Sequence, residues 1–145
     1  PLINRFLHAM RTLRFLGLIL GVGLLASACQ SKKIDNTMVV DPDGPVRYAQ
    51  DIQPIFTNSC GGAGCHIDES VNGVELTNYQ QVMNSIGEQY GAAIVEPGDP
   101  GASPLVDKVE PDPQFGTRMP LGRPPLTAQQ VTLIRTWIED GAKNN

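Results

Sequence analysis

Beyond residue 45 the apolar positions recur at helical spacing, in short runs separated by polar loops. Val131, Leu133, Ile134, Trp137 and Ile138 form the longest stripe. It is introduced by Thr127-Ala-Gln-Gln130, in which the Thr and Gln side chains can each satisfy the other's free backbone N–H, and Gly141 is placed to stop it. Ile52, Ile55 and Phe56 share one face of a helix predicted over 52–58. Asp51 is its expected cap, and Pro54 falls in its first turn, where a missing N–H is harmless. Asn78 predicts the cap of a helix over 79–86, with Val82, Met83 and Ile86 apolar, and Ser103 is the expected N-cap, with Pro104 at the first helical position, of a short helix through Val109. No strand-like alternation of useful length appears. The expected fold class is therefore all-α, with short helices and long Gly/Pro loops such as 110–125. Loops beyond about 12–15 residues inside a compact domain usually mark a function or a missing constituent. A large apolar bound group would fill the interior that so few helices leave hollow.

The first 45 residues follow another logic. Residues 15–28 are uncharged and mostly apolar, and they follow Arg5, Arg11 and Arg14 with no acidic residue among them. The run is shorter than the roughly 20 residues that a spanning helix needs. A basic start, a short apolar stretch and the small residues Ala26-Ser27-Ala28 read as an export signal, already complete from Met10 onward. The segment Leu24-Leu-Ala-Ser-Ala-Cys29 resembles the bacterial lipobox, with Ala26 where that motif most often has Leu. The resemblance implies cleavage before Cys29, lipidation of Cys29, and attachment of an exported protein to a bacterial membrane on its periplasmic or cell-surface side. Acyl chains stabilised by about 0.8 kcal/mol per buried CH₂ would hold it without a spanning helix. An ordinary signal with an incidental Cys is the alternative.

Gln30 rather than Asp follows the Cys, which in the enteric-type sorting rule implies the outer membrane. The expected organisation is a signal over 1–28, a lipidated Cys and tether over 29–45, and one domain over 46–145. The tether ends in the turn-rich Asp41-Pro-Asp-Gly-Pro45 and would reach roughly 20–25 Å. Three of the 11 basic residues lie in the signal and all 15 acidic ones follow it, which leaves a formal charge of −7 after cleavage. That excludes nucleic acid as an expected partner, since phosphates need Lys and Arg. It suits a protein partner with a basic face.

The chemistry is concentrated in Cys60-Gly-Gly-Ala-Gly-Cys65-His66. Two thiols followed directly by an imidazole are the attachment pattern of a c-type haem, usually written C-x-x-C-H. Here four residues separate the cysteines and three are Gly, which adopt positive φ freely, so the spacer can loop outward and return Cys60 to a thiol position. The other histidine, His8, lies in or before the signal. One His in the processed chain argues against a structural Cys/His zinc site, which takes four protein ligands. For a sixth iron ligand, Met38 sits in the tether and Met83 on an apolar helix face. That favours Met119, in the loop Thr-Arg-Met-Pro-Leu, over its reading as an ordinary packed methionine. Tyr48, Tyr79, Arg118 and Arg123 are candidate partners for haem propionates, with core or solvated roles the plainer reading.

The order Asp51-Ile-Gln-Pro-Ile-Phe56, then Cys…Cys-His, then Gly98-Asp-Pro…Ser103-Pro-Leu-Val106, then Met119-Pro120, then Leu126-Thr…Ile134-Arg-Thr-Trp-Ile138…Gly141-Ala142 resembles bacterial monohaem c-type cytochromes, in the subgroup with an expanded C-x4-C-H motif. The likeness spans residues 48–142. It implies a small all-α cytochrome c-like fold wrapped around one haem, with the Ile52/Phe56 face meeting the Ile134/Trp137/Ile138 face. It also implies one covalent haem c on Cys60 and Cys65, His66 and Met119 as axial ligands, and a membrane-anchored electron-transfer protein rather than an enzyme. Two alternatives compete. One is a haem-free binding or structural module stapled by a Cys60–Cys65 disulfide. The other is a small peroxidase with an open iron position, which lacks a distal His in this sequence.

Overall fold

The computed structural model describes residues 44–145. The expected signal, the lipidation site Cys29 and Met38 lie outside the described residues.

The first helical segment covers residues 48–60 and begins four residues earlier than the sequence predicts. It consists of one α turn, Gln53–Ile55, between two wider π turns, Tyr48–Ile52 and Phe56–Cys60. Pro54 accounts for the widening, because it offers no N–H and its ring crowds the carbonyl four residues back. The Gln53 N–H reaches instead to the Tyr48 carbonyl, five residues back. Asp51 is not the cap. It sits inside the first turn, where its Oδ2 accepts the Arg47 N–H at 2.7 Å.

The second helix, Tyr79–Asn84, has the predicted cap: Asn78 Oδ1 accepts the Gln81 N–H at 3.1 Å. It ends two residues short of expectation. Buried Ser85 turns extended, accepts the Glu75 N–H at 2.9 Å and donates to the Gln81 carbonyl at 2.9 Å. Ile86 therefore leaves the helix and lies 52% exposed rather than on an apolar face.

From there the all-α expectation fails. Ile86–Gly87 and Ala92–Ala93 pair as a two-stranded antiparallel sheet, with Ile86 opposite Ala93 and Gly87 opposite Ala92. A separate bridge joins Val71 to Val74. The described residues thus form a mixed fold of a few short helices, one small sheet and long loops. Strands of two residues contain no alternation to detect. What makes the hairpin is its turn: Gly91 at φ +63° donates its N–H to the Gly87 carbonyl at 2.8 Å.

The remaining helices match the sequence closely. Pro104–Val109 has the predicted span, but the Ser103 side chain does not cap it: its buried hydroxyl serves the preceding loop, accepting the Glu96 N–H at 2.9 Å and donating to the Asp99 carbonyl at 2.8 Å. Ala128–Glu139 carries the full Thr127/Gln130 capping box. Past it, Gly141 at φ +93° lets the Ala142 N–H return to the Trp137 carbonyl at 2.8 Å.

The core lies where the first and last helices meet. The Tyr48–Ile52 turn and the Pro104–Val109 helix both pack on Ala128–Glu139. Ile52, Ile55, Phe56, Ile134, Trp137 and Ile138 are all buried there. The chain end locks this pairing. Trp137 Nε1 donates to the Lys143 carbonyl and the Tyr79 hydroxyl to the Ala142 carbonyl, each at 2.9 Å, and Asn145 Oδ1 accepts the Tyr48 N–H at 2.9 Å. Among the described residues, no helix is long and apolar enough to cross a membrane.

Candidate functional site

Cys60 closes the first helical segment, and the glycine-rich loop that follows doubles back on itself. Gly61 passes so near the helix that a Cβ there would stand 2.7 Å from the Thr57 carbonyl oxygen. Gly62 and Gly64 take φ of +124° and +71°, and the Cys65 N–H donates to the Gly62 carbonyl at 3.0 Å. The His66 N–H then donates to the Cys60 carbonyl at 3.1 Å, which closes the loop. The four-residue spacer therefore loops outward while the backbones of Cys60 and His66 meet.

His66 is held at both ends. Its carbonyl accepts the Leu76 N–H at 2.6 Å, and its ring Nδ1 lies 3.1 Å from the Val74 carbonyl oxygen. A carbonyl can only accept, so this contact places the ring proton on Nδ1 and leaves Nε2 with a free lone pair. Metal-binding imidazoles are oriented by a bond of this kind.

Met119 comes from the far side of the chain. The loop between Val109 and Leu126 folds back along the Pro104–Val109 helix, where the Met119 N–H donates to the Lys108 carbonyl at 2.8 Å and Arg118 Nε to the Val109 carbonyl at 2.7 Å. Arg123 ties the same loop to the cysteine segment through its Nη1, 3.2 Å from the Asn58 carbonyl oxygen. Both arginines therefore serve as loop fasteners in this structure.

These segments enclose one crevice of about 300 Å³, at the lower end of the roughly 300–1,000 Å³ usual for ligand pockets. Cys60, His66 and Met119 line it together, and Val74, Leu76, Ile94 and Leu105 supply apolar wall. Cys65 is not part of that lining; it is half-buried, with Sγ 3.9 Å from the Ala63 carbonyl oxygen. Met83 packs against the core instead, and Tyr48 and Tyr79 stack edge to face there with centroids 5.1 Å apart. Burial raises the Tyr48 phenol above its usual range.

Cys60 and Cys65 are free thiols. Burial pushes the Cys60 thiol up to about 11, against a lowering influence of the Arg123 guanidinium and a smaller raising one of Cys65. Tyr90, another lining residue, is pushed up to about 12 by burial and by its hydrogen bond to the Asp107 carboxylate.

Sequence reasoning missed the wall residues Val71, Asn72, Val74 and Leu76 and the hairpin residues Gly87 to Tyr90, which line the crevice. A signal was present in Val71-Asn-Gly-Val74, since Asn-Gly between β-branched residues is a strong two-residue hairpin signature.

The donor set decides what the crevice can hold. Among the described residues no cluster of three or more His, Cys, Asp or Glu is placed to bind a bare metal ion. One imidazole and one thioether on an apolar crevice can supply two axial ligands, provided the equatorial ones arrive with a macrocycle. The lining residues Cys60, His66 and Met119 therefore fit a haem in donor type, and a second thioether would need the Cys65 thiol, one residue before His66, to turn toward the crevice. Comparison with known protein families, with curated proteins and with solved structures returns no match.

Proposed function

We propose that this chain is a membrane-anchored electron-transfer protein carrying one haem c, bound through thioethers at Cys60 and Cys65 with His66 and Met119 as axial ligands. One observation carries the reading: Cys60 and His66, from the glycine-rich loop, and Met119, from the loop before the last helix, line the same apolar crevice. When bound, the group supplies a reversible Fe(III)/Fe(II) couple. The chain's own contribution is ligation, exclusion of water and orientation. The Val74 carbonyl keeps the His66 proton on Nδ1 so that Nε2 is available. The Lys108 carbonyl holds the Met119 backbone at the crevice wall, and a thioether ligand raises the potential relative to a harder donor. Addition of each S–H across a vinyl C=C forms a thioether with no leaving group and no net oxidation.

Export and lipidation at Cys29 belong to the same proposal, as does a partner with a basic face, which the acidic surplus beyond residue 28 favours. Intact-mass measurement of chain made with cytochrome maturation factors tests the reading. An added macrocycle that survives reduction on a haem-stained gel supports it. A folded, colourless chain without added mass overturns it and favours the disulfide-stapled module. In the loaded protein, His66→Ala should abolish the low-spin spectrum. Met119→Ala should keep the haem attached, lower the potential and admit carbon monoxide; a variant unchanged in both respects removes Met119 from the ligand set.

A further inference from the structure

We propose that Gly73 is a positioning residue for His66, acting through a tight turn that the small antiparallel sheet holds in place. The inference rests on His66 being the iron ligand, and it assigns part of that function to a residue 7 positions away in the sequence.

The linkage is made of backbone. Val71 and Val74 exchange two hydrogen bonds, at 3.0 and 3.1 Å, across a two-residue turn with Asn72 at φ +51° and Gly73 at φ +77°. The Val74 carbonyl that accepts the Val71 N–H is the same one that faces His66 Nδ1. Its two lone pairs thus serve the turn and the imidazole together. On its other side the turn rests on the hairpin, since the Glu88 N–H donates to the Asn72 carbonyl at 3.1 Å. A Cβ on Gly73 would lie 2.1 Å from the Ile86 carbonyl oxygen, within the strand Ile86–Gly87. No side chain fits there unless the turn and the sheet separate. Because the His66 N–H is held by the Cys60 carbonyl at 3.1 Å, at the end of the first helical segment, the histidine backbone stays put while the Val74 carbonyl withdraws. The lost contact is the one that fixes the ring proton on Nδ1.

Gly64 is the natural control. Its φ of +71° imposes the same backbone strain on a substitution, but nothing lies within 4 Å of an added Cβ.

The test is solvent exchange of the His66 Nδ1–H proton, followed by NMR on the full chain with ¹⁵N-labelled histidine, as purified and chemically reduced. The parent should show a protected proton. Gly73→Ala should exchange about 2- to 10-fold faster, the factor that one hydrogen bond carries, while Gly64→Ala matches the parent. Asn72→Ala strains the same turn without the clash and should show a smaller increase, which keeps the question open to measurement if Gly73→Ala does not fold. Parent-like exchange in a folded Gly73→Ala or Asn72→Ala chain overturns the proposal, as does an equal rise in Gly64→Ala. Intact mass of the same parent sample reads the haem separately. A parent without the group defeats the proposed function, while the exchange contrast still decides the role of Gly73.

Discussion

Two regions of this domain, built around one core, differ in what positions their residues. Where the first and last helices meet, order comes from side chains: Ile52, Phe56, Ile134, Trp137 and Ile138 are almost completely removed from water. Around the crevice, whose wall residues Leu76, Ile94 and Leu105 belong to the same buried core, the backbone adds a second kind of order. The Val74 carbonyl, the Gly73 turn, the hairpin at Ile86–Gly87 and the Lys108 carbonyl position His66 and Met119 through amide hydrogen bonds. The first kind of order is driven by apolar area removed from water. The second depends on chain geometry at a few residues with positive φ and on the elements against which they rest. A packed core tolerates loops of many shapes, whereas a site built from carbonyl positions tolerates few.

That contrast can be broken from either side. The largest effect should come from the helical half: Trp137→Ala removes a buried indole and its bond to the Lys143 carbonyl. It should cost about 3–5 kcal/mol in urea unfolding, and a loss below ~1 kcal/mol would show that this pairing is not the main source of stability.

Next in size is a pH effect to which the crevice half contributes through Cys60. Cys60 is raised by burial to about 11 in the folded chain, above its usual value near 9. The protonated thiol is therefore the form that folding favours. The Cys60 contribution to the stability of the haem-free chain should be constant below about pH 9 and fall as pH rises toward 11, by on the order of 2 kcal/mol. Cys60→Ser should make that decline shallower, leaving the part that the raised phenols of Tyr48 and Tyr90 contribute above about pH 10, and haem attachment, which would consume the thiol, should do the same. A decline that persists unchanged in Cys60→Ser would assign it to another group.

Smaller effects sharpen the boundary. Thr127→Ala removes one half of the capping box and should cost about 1 kcal/mol, visible as a shift in urea midpoint without a change in the environment of His66. Smallest of all, Ile86→Thr should stay within about 0.5 kcal/mol of the parent. Its side chain is exposed and threonine suits a strand. A large loss there would restore Ile86 to the core where the helical periodicity had put it.

The same division governs what could be read from the amino acids alone. Asn78, the Thr127/Gln130 box, the span Pro104–Val109 and the stripe ending in Ile138 all reappear in the structure, because caps and stripes are local side-chain patterns. Cys60, Cys65, His66 and Met119 stood out by residue type and spacing. Three of those four converge on one crevice. The early start of the first helix, its π turns around Pro54 and the exit of Ile86 into a sheet were decided by context.

Only the tertiary structure could bring the Val74 carbonyl to His66, seat Gly73 against Ile86, or fold the Met119 loop onto Lys108. The reason is chemical. Every residue except proline offers the same N–H and C=O, so a contact made by backbone leaves almost no mark on residue identity beyond a glycine where no Cβ fits. Side-chain order is written along the chain, and backbone order appears only once distant segments have come together.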